Sequence, residues 1–328
     1  MTEITNALEI KNLVKNYGSN KVLKNISFSV RKGEILGFLG LNGAGKSTTM
    51  NIVTGCISAT EGKVSVCGHD IMTEPLVAKS KIGYLPENPP LYFDMTVYEY
   101  LEFVYELKKT KLPRKEHLTD IMERVKITHM ADRLIKNLSK GYKQRVGIAQ
   151  AMVGEPEILI LDEPTVGLDP KQIIEIRNLI RSLGEKHTVI LSTHILQEVS
   201  AVCDRVAIIA SGRIVAQNTI RCLEDESYDK DELTLSVAAG QEEVRDILLS
   251  CKGVRQLTAV PAREEGTSRF IVKQVSGSDV RPELCNTLFA KGYTICELRT
   301  AAPTLEEIFI KYASTTDVID AEEKEDKE

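Results

Sequence analysis

A glycine-rich segment near the N-terminus has the spacing that holds phosphate groups in proteins. This phosphate-binding segment, residues 40–47 (GLNGAGKS), matches the pattern G-x-x-x-x-G-K-[ST] throughout. Its glycines let the backbone curl so that several N–H groups point at one anion, and a helix starting there adds its positive end. We expect Lys46 on the β- and γ-phosphates and Ser47 on Mg²⁺. The predicted nucleotide contacts are Asn42, Gly43, Ala44, Gly45, Lys46, Ser47 and Thr48.

Two adjacent acids follow an apolar run farther along the chain. Residues 158–161 are ILIL, and Asp162 and Glu163 come directly after them. A buried strand would deliver both acids to its carboxyl end, where α/β sheets bind their ligands. Asp162 would hold Mg²⁺, and Glu163 would orient or deprotonate an attacking water as general base. For this run alone, a strand ending in solvated acids is an equal alternative, and the phosphate-binding segment decides against it.

Strand-like and helical patterns alternate over most of the first 222 residues. The runs at 8–13 and 23–30 alternate apolar and polar residues, as half-buried strands do. This pattern predicts an α/β fold whose largely parallel sheet is covered on both faces, with an antiparallel β subdomain at its start. Other predicted strands lie at 34–39, 63–67, 158–161, 188–192 and 205–209, and predicted helices begin at Lys46 and span 172–183 and 196–201.

A helical block interrupts the α/β pattern. Thr96 and Glu99 form the S/T-x-x-E capping box that starts a helix. We therefore predict an inserted helical subdomain at about residues 88–155, within one domain that spans residues 1–222. The segments with helical periodicity in this block are 96–107, 114–124 and 139–153.

The pattern changes again toward the C-terminus. A polar stretch at residues 223–232 is typical of a linker. The order β-α-β-β-α-β follows, which matches a small α+β, ferredoxin-like accessory domain, predicted here at residues 233–313. A final helix is expected within it at 304–312. Residues 314–328 end in a charged, mostly acidic run, and we predict a disordered tail there.

Composition limits the classes of function. The chain has 328 residues and a formal net charge of −5, and its pI of about 5.7 argues against nucleic acid as the main partner. No apolar run approaches the roughly 20 residues that cross a bilayer, and residues 1–6 lack the features of a signal peptide. We therefore expect a cytoplasmic protein whose membrane role comes through a partner. The spacing of the seven cysteines predicts reduced thiols.

Residues 7–222 resemble the ATP-binding-cassette (ABC) ATPases in the order and approximate spacing of their motifs. Residues 138–145 (LSKGYKQR) resemble the signature motif of that family. The resemblance implies that Ser139 and Gly141 face the γ-phosphate of a nucleotide held by a second subunit. A helix that begins there would direct its positive end at the same phosphate.

The same resemblance implies roles for three more residues. Asp169, in the segment GLDP, would lie across the dimer interface. His194, in LSTH, would contact the γ-phosphate and help to position the water, so Lys46, Glu163 and His194 are the expected catalytic residues. Tyr17 would stack on adenine, although a tyrosine at the edge of a strand is an alternative interpretation.

Two departures from the family pattern narrow the subgroup. Glu87 stands where the family usually has a Gln that contacts Mg²⁺ and water. A carboxylate can still approach the ion but has no N–H₂ donor, so the expected metal ligands are Ser47, Asp162 and Glu87. Lys140 and Tyr142 stand where Gly and Gln are usual. These variants and the C-terminal extension resemble the subgroup that serves drug-, sodium- and gliding-motility-type transporters.

The resemblance implies the ATPase subunit of an ABC transporter. Two copies, or one copy with a paralogous subunit, would sandwich two ATP molecules with Mg²⁺ and drive a separate membrane permease, with export as the expected direction. The protein would be cytoplasmic and peripheral on the inner face of the cell membrane. The aromatic-rich segment 88–95 would help to dock the permease, or would pack within the helical block.

Other classes of function stay open at this point. A soluble ABC ATPase that acts on nucleic acid or ribosomes is the main alternative. The short helical block, the single cassette and the acidic charge favour a transporter over that class. A GTPase or kinase with the same phosphate loop is less favoured, because the guanine-reading motif N-K-x-D is missing from the sequence.

Overall fold

The structure, a computed structural model, describes residues 6–226, 231–262, 264, 266–275, 277–300, 306, 308 and 309. The chain divides into two compact units, the first formed by Met1–Leu223 and Leu305–Glu328 and the second by Glu224–Thr304. The predicted tail at 314–328 lies outside the described residues, as do residues 227–230 of the predicted linker. In the described part, no helix combines the length and the apolar character that crossing a bilayer requires.

Two sheets and the helices around them make up the described part of the first unit. The strands are β1 (Asn6–Tyr17), β2 (Asn20–Arg31), β3 (Ile35–Leu39), β4 (Glu61–Val66), β5 (His69–Asp70), β6 (Ile82–Leu85), β7 (Ile158–Asp162), β8 (Thr188–Thr193), β9 (Arg205–Ala210) and β10 (Arg213–Asn218). The helices are α1 (Lys46–Val53), α2 (Pro75–Ser80), α3 (Val97–Leu107), α4 (Arg114–Arg124), α5 (Lys140–Met152), α6 (Pro170–Gly184), α7 (Leu196–Val202) and α8 (Ile220–Glu226).

The antiparallel sheet predicted for the start of the chain is present. Its strand order is β2-β1-β4-β5, and each neighbouring pair is antiparallel. Gly18, with a φ of 60°, allows the tight turn between β1 and β2. The predicted strand at 63–67 joins this sheet as β4, because Leu8 pairs with Val66 and Ile10 with Val64.

The second sheet positions the candidate site. Its order is β10-β9-β3-β8-β7-β6, with β10 antiparallel to β9 and the other neighbours parallel. Leu39 at the end of β3 pairs with Thr193 on β8, and Asp162 at the end of β7 pairs with Ser192. The carboxyl ends of β3, β8 and β7 therefore meet at one edge, which is where ligands bind in such sheets.

The parallel sheet is covered on both faces, as predicted. Every residue of β3 and β7 is buried, which is typical of central strands between two layers. Ile158 and Ile160 pack toward the antiparallel sheet and α1, whereas Leu159 and Leu161 pack toward the helices of the helical block. Because β7 is packed from both sides, its last residue enters the site in a defined direction.

The predicted helices of the helical block are confirmed as α3, α4 and α5. The capping box is also present at the start of α3. Oγ1 of Thr96 accepts a hydrogen bond from the backbone N of Glu99 at 3.2 Å. The carboxylate of Glu99 accepts one from the backbone N of Thr96 at 2.8 Å. These reciprocal bonds satisfy two N–H groups that the helix itself cannot.

Two strands of the parallel sheet have no counterpart in the sequence prediction. β6 has four residues, one of them Gly83, and is too short for periodicity to reveal. β10 has the sequence RIVAQN, in which apolar and polar residues do not alternate, and all its residues are half-buried. β6 nonetheless extends the sheet beside β7, where Leu85 pairs with Leu161.

The second unit has the predicted β-α-β-β-α-β order. Its elements are β11 (Glu232–Val237), α9 (Gln241–Ser250), β12 (Val254–Val260), β13 (Ser268–Gln274), α10 (Arg281–Ala290) and β14 (Ile295–Thr300). The strands form an antiparallel sheet in the order β12-β13-β11-β14. Leu233, Leu235 and Val237 of β11 pack with Leu248 and Leu288 of the two helices to form its core.

The end of the accessory domain differs from the prediction. The sequence pattern predicts that this domain extends to residue 313 and ends in a helix at 304–312. Of that helix the structure describes residues 306, 308 and 309, and all are helical. Ile308 and Phe309 pack with Leu39, Val199 and Leu223 in a buried apolar cluster of the first unit. The second unit accordingly ends at Thr304.

Candidate active site

The phosphate-binding segment lies between β3 and α1, as predicted. Gly43 and Gly45 have φ angles of 82° and 109°, in the left-handed region that favours glycine. Gly45 is the N-cap of α1, whose first N–H groups have no partner within the helix. A Cβ at Gly40 would lie 2.6 Å from the carbonyl oxygen of Ile209, so only glycine fits there. The segment therefore has the backbone geometry of an anion site.

Lys46 is buried beside this loop. Its Nζ donates to the carbonyl oxygens of Gly40 at 2.8 Å and Leu41 at 3.3 Å. The same Nζ lies 3.5 Å from Oε1 of Glu163. The ammonium group is thus held between the loop and the end of β7. A cation fixed in this position adds charge to the backbone dipoles, and together they favour a polyphosphate ligand.

Asp162 supplies a buried carboxylate oxygen without a hydrogen-bond partner in the described part of the chain. The residue is 2% exposed, and the oxygen is its Oδ1. Burial raises the pKa of Asp162, and the nearby hydroxyls of Ser192 and Ser47 oppose that rise. Ser47, Asp162 and Glu87 offer only oxygen donors, the type that Mg²⁺ takes together with nucleotide phosphates. These residues therefore fit Mg²⁺.

Glu163 and His194 form a hydrogen-bonded pair at the ends of adjacent strands. Oε1 of Glu163 lies 2.9 Å from Nδ1 of His194. The Glu163 backbone has a φ of 48°, and its N–H donates to the carbonyl oxygen of Ser192 at 2.8 Å. The side chain of Glu163 is 7% exposed and that of His194 40% exposed. The carboxylate is thus enclosed, and the imidazole forms the open side of the pair.

A cavity of ≈ 530 Å³ opens over these groups, a size within the roughly 300–1,000 Å³ of small-molecule sites. It brings together residues from five separate parts of the sequence, although the phosphate-binding segment and Thr48 supply most of them. Its lining residues are Val22, Asn42, Gly43, Gly45, Lys46, Ser47, Thr48, Glu87, Glu163, Val166 and His194. Most of the predicted nucleotide and catalytic residues therefore share one cavity.

Six predicted residues do not line this cavity, among them Asp162, Ala44 and Tyr17. Asp162 is buried beside Ser47, which does line it. Ala44 lines a smaller cavity of ≈ 230 Å³ together with Phe309. Tyr17 is 51% exposed, and Nζ of Lys15 lies 4.9 Å from the centroid of its ring. The ring of Tyr17 is accessible for stacking, and its part in nucleotide binding stays a prediction.

Ser139, Gly141 and Asp169 lie together on another surface, which we call the signature surface. Ser139 caps α5 by accepting from the N–H of Tyr142 at 3.4 Å, and Asp169 caps α6 by accepting from that of Gln172 at 2.9 Å. A Cβ at Gly141 would lie 2.8 Å from the Gln172 side chain. The signature surface is lined by Lys126, His129, Ser139, Gly141, Tyr142, Arg145, Asp169, Lys171, Gln172, Glu175, Ile176 and Asn178.

Sequence reasoning missed Thr193 and Glu198, which lie against the Glu163–His194 pair. Oγ1 of Thr193 lies 2.8 Å from Oε2 of Glu198 and 3.4 Å from Oε2 of Glu163. Thr193 directly precedes His194, and this position next to a predicted site residue could have identified it from the sequence. Glu198 carries no comparable signal, since an acid in the first turn of a helix is ordinary.

Comparison with known proteins gives a consistent picture. Residues 23–166 match the family model described as "ABC transporter". The chain is 34% identical to YdbJ of Bacillus subtilis, an uncharacterized ABC transporter ATP-binding protein, over 93% of this chain and 94% of that protein. It is 33% identical to LnrL of B. subtilis, a linearmycin resistance ATP-binding protein, over 94% of this chain and 99% of that one.

A solved structure agrees with this picture. The dimeric structure of MJ0796, a bacterial ABC transporter cassette, superposes with a TM-score of 0.59 and is 26% identical, over 65% of this chain and 98% of that one. The order of the motifs, the fold and the sequence similarity over nearly the whole chain thus all indicate the same family. The protein belongs to the family of ABC transporter ATP-binding proteins.

Proposed function

We propose that the chain binds and hydrolyses ATP as a dimer and thereby drives a separate membrane permease. The main observation in favour of a dimer is that the two predicted ATP-contacting surfaces are separate. Among the described residues, no residue lines both the signature surface and the cavity of the phosphate-binding segment. Ser139 and Gly141 therefore serve a nucleotide on a second copy, or on a paralogous subunit. The dimeric MJ0796 cassette supports this arrangement.

Six side chains in or beside the cavity have a part in the proposed hydrolysis. Lys46 and the loop N–H groups bind the β- and γ-phosphates, and Ser47, Asp162 and Glu87 hold Mg²⁺, which offsets phosphate charge when bound. Glu163 accepts the proton of the attacking water as general base. His194 holds Glu163 in place through its Nδ1 and contacts the γ-phosphate from the open side of the cavity.

Tyr17 and Asp169 complete the proposed ATP site. Tyr17 stacks on the adenine, for which its half-exposed ring is available. Asp169 begins α6 on the same surface as Ser139 and Gly141. It therefore reaches the dimer interface together with the signature residues.

The partner that the dimer drives is proposed to be a membrane permease. Tyr92 and Phe93, which precede α3, are 52% and 51% exposed. Such apolar rings are suited to receive a cytoplasmic segment of a membrane protein. Relatives named for resistance to linearmycin and for bacitracin transport support export as the direction. The protein would then be cytoplasmic and peripheral on the inner face of the membrane, without nucleic acid as a partner.

Glu163→Gln tests the proposal, because the amide keeps the shape of the side chain and cannot accept the proton from water. We expect this variant to bind ATP, to lose hydrolysis and to accumulate as a dimer in ATP. Light scattering after size-exclusion chromatography, with ATP or ADP, measures the dimer. Near-normal hydrolysis in the variant would remove Glu163 as base. A monomer in ATP would contradict the shared site.

A further inference from the structure

Glu198 is a buried carboxylate outside every motif named above. It lies in the first turn of α7, four residues after His194, and is 1% exposed. A carboxylate buried in such a place destabilises the fold unless hydrogen bonds replace those it made with water. The donors that hydrogen-bond to the Glu198 carboxylate therefore indicate its role.

Two threonine hydroxyls donate to Glu198. Thr193 donates to Oε2 at 2.8 Å, and Thr165 donates to Oε1. Thr193 directly precedes His194, and Thr165 is two residues after Glu163. Glu198 thus joins its own helix to the two segments that carry the proposed base and its histidine partner.

Thr193 lies between two carboxylates. Its Oγ1 is 2.8 Å from Oε2 of Glu198 and 3.4 Å from Oε2 of Glu163. It also accepts from the backbone N–H of Ile195 at 3.1 Å. A hydroxyl has a single proton and cannot donate fully to both carboxylates. The shorter distance assigns that proton to Glu198, which leaves Oε2 of Glu163 free to accept from another donor.

We propose that Glu198 is a positioning residue for ATP hydrolysis. By accepting from Thr165 and Thr193, it holds the segments of Glu163 and His194 together. By drawing the Thr193 proton away, it keeps Oε2 of Glu163 available to the attacking water. This inference rests on the proposed role of Glu163 as base.

The surrounding charges are consistent with a carboxylate that is held by hydrogen bonds. Burial raises the pKa of Glu198, and the hydroxyls of Thr165 and Thr193 and the nearby charge of Arg177 oppose the rise. The negative charge of Glu163 adds to the rise. The threonine contacts thus stabilise the charged form, in which Glu198 can accept from both hydroxyls at once.

Glu198→Gln is the decisive substitution. The amide has one acceptor atom and one donor atom, so it cannot accept from both threonines. If its NH₂ group faces Thr193, it donates to that hydroxyl and turns the threonine proton toward Glu163; if it faces Thr165, the hydrogen bond that Thr165 donates is lost. Either orientation removes one of the two contacts. We expect kcat for ATP to fall about tenfold or more, a part of the roughly 100- to 10,000-fold that acid–base catalysis contributes. KM should stay within about twofold, because the phosphate contacts are unchanged.

A matched pair at Thr193 separates the hydroxyl from packing. Thr193→Val keeps the shape and removes the hydroxyl, whereas Thr193→Ser keeps the hydroxyl. We expect Val to lower kcat, because the hydrogen bond that links Glu198 to the segment of His194 is lost. Ser should keep kcat near the wild-type value, because its hydroxyl preserves that link. Glu34→Gln is the control for loss of a buried carboxylate, since Glu34 is 7% exposed and pairs with Arg205. It should lower Tm without lowering kcat.

The purified full chain distinguishes the outcomes in one assay of kcat, KM and Tm. No hydrolysis by wild type, or no loss in Glu163→Gln, would contradict the proposed function itself. If those two behave as proposed, a Glu198→Gln variant with kcat within about twofold of wild type would contradict this inference alone. So would a parallel loss of ATP affinity and Tm, or a Thr193→Ser variant as slow as Thr193→Val.

Discussion

Nδ1 of His194 lies 2.9 Å from Oε1 of Glu163, although the two residues are separated by 31 positions in sequence. They meet because β8 and β7 are neighbours in the parallel sheet and both residues follow the ends of their strands. One oxygen of Glu163 is thereby engaged by His194 and, at 3.5 Å, by Lys46. The pairing determines which carboxylate oxygen remains for water.

His194→Ala tests the importance of that pairing. We expect kcat for ATP to fall by about 100-fold or more, since Glu163 loses the partner that orients it. The affinity for ATP should change little, because the loop N–H groups and Lys46 remain. Steady-state hydrolysis and equilibrium binding of a fluorescent ATP analogue measure the two quantities. His69→Ala, at an exposed pair with Glu74, is the control; equal loss in both variants would refute the role.

Lys46→Ala should weaken the binding of ATP. A charged hydrogen-bond donor contributes about 1.5–3 kcal/mol, so we expect Kd to rise roughly 10- to 100-fold. Titration calorimetry with ATP measures this change. Lys79→Ala is a suitable control, because Lys79 also donates to a loop carbonyl, that of Gly55, at 2.9 Å and lies outside the cavity lining. Unchanged affinity in Lys46→Ala would contradict the phosphate-loop assignment.

Gly141→Asp tests whether the signature surface acts on a nucleotide of another chain. Gly141 is in the first turn of α5, where an acid is compatible with the helix. Its charge would oppose the γ-phosphate, so the ATP-dependent dimer and hydrolysis should be lost while ATP still binds the monomer. Gly240→Asp serves as the control, since Gly240 lies in the second unit with a φ of −66°. If Gly141→Asp abolished binding to the monomer, the two surfaces would not be independent.

The hydrogen bonds of His187 predict that the folded protein loses stability in mild acid. Its Nδ1 lies 2.7 Å from the carbonyl oxygen of Pro156, and its Nε2 lies 2.9 Å from Nη2 of Arg124. Nδ1 therefore donates and Nε2 accepts, which requires a neutral ring. Burial lowers the pKa of His187, and the charge of Arg124 lowers it further.

The direction in which stability changes with pH follows from the number of protons that the folded and unfolded chains bind. The unfolded chain binds a proton near pH 6.5 and the folded chain only at lower pH, so the stability from this histidine is present above about pH 6.5 and is lost as the pH falls. We expect Tm to fall less between pH 7.5 and 5.5 in His187→Gln than in wild type. His69→Gln, at an exposed site, should follow wild type. Parallel profiles in all three proteins would contradict the prediction.

Short sequence patterns were sufficient to predict several local features of the structure. The phosphate-binding segment was predictable because its glycines and their spacing set the backbone conformation over a few residues. The same holds for the starts of α3 and α5, where Thr96 and Ser139 cap the helices within one turn. β6 was not predictable, because four residues beside β7 form a strand only through pairing with it.

The sequence by itself determined that residues 40–47 form a glycine-rich segment with the backbone geometry of an anion site and that Asp162 and Glu163 lie at the end of a buried strand. Those features depend on residues that are adjacent in the chain. Only the tertiary structure decided that His194 meets Glu163, that Thr193 lies between Glu163 and Glu198, and that Ile308 packs on the first unit. The physical reason is that strand order and packing depend on the burial of distant apolar faces, and no local spacing encodes them.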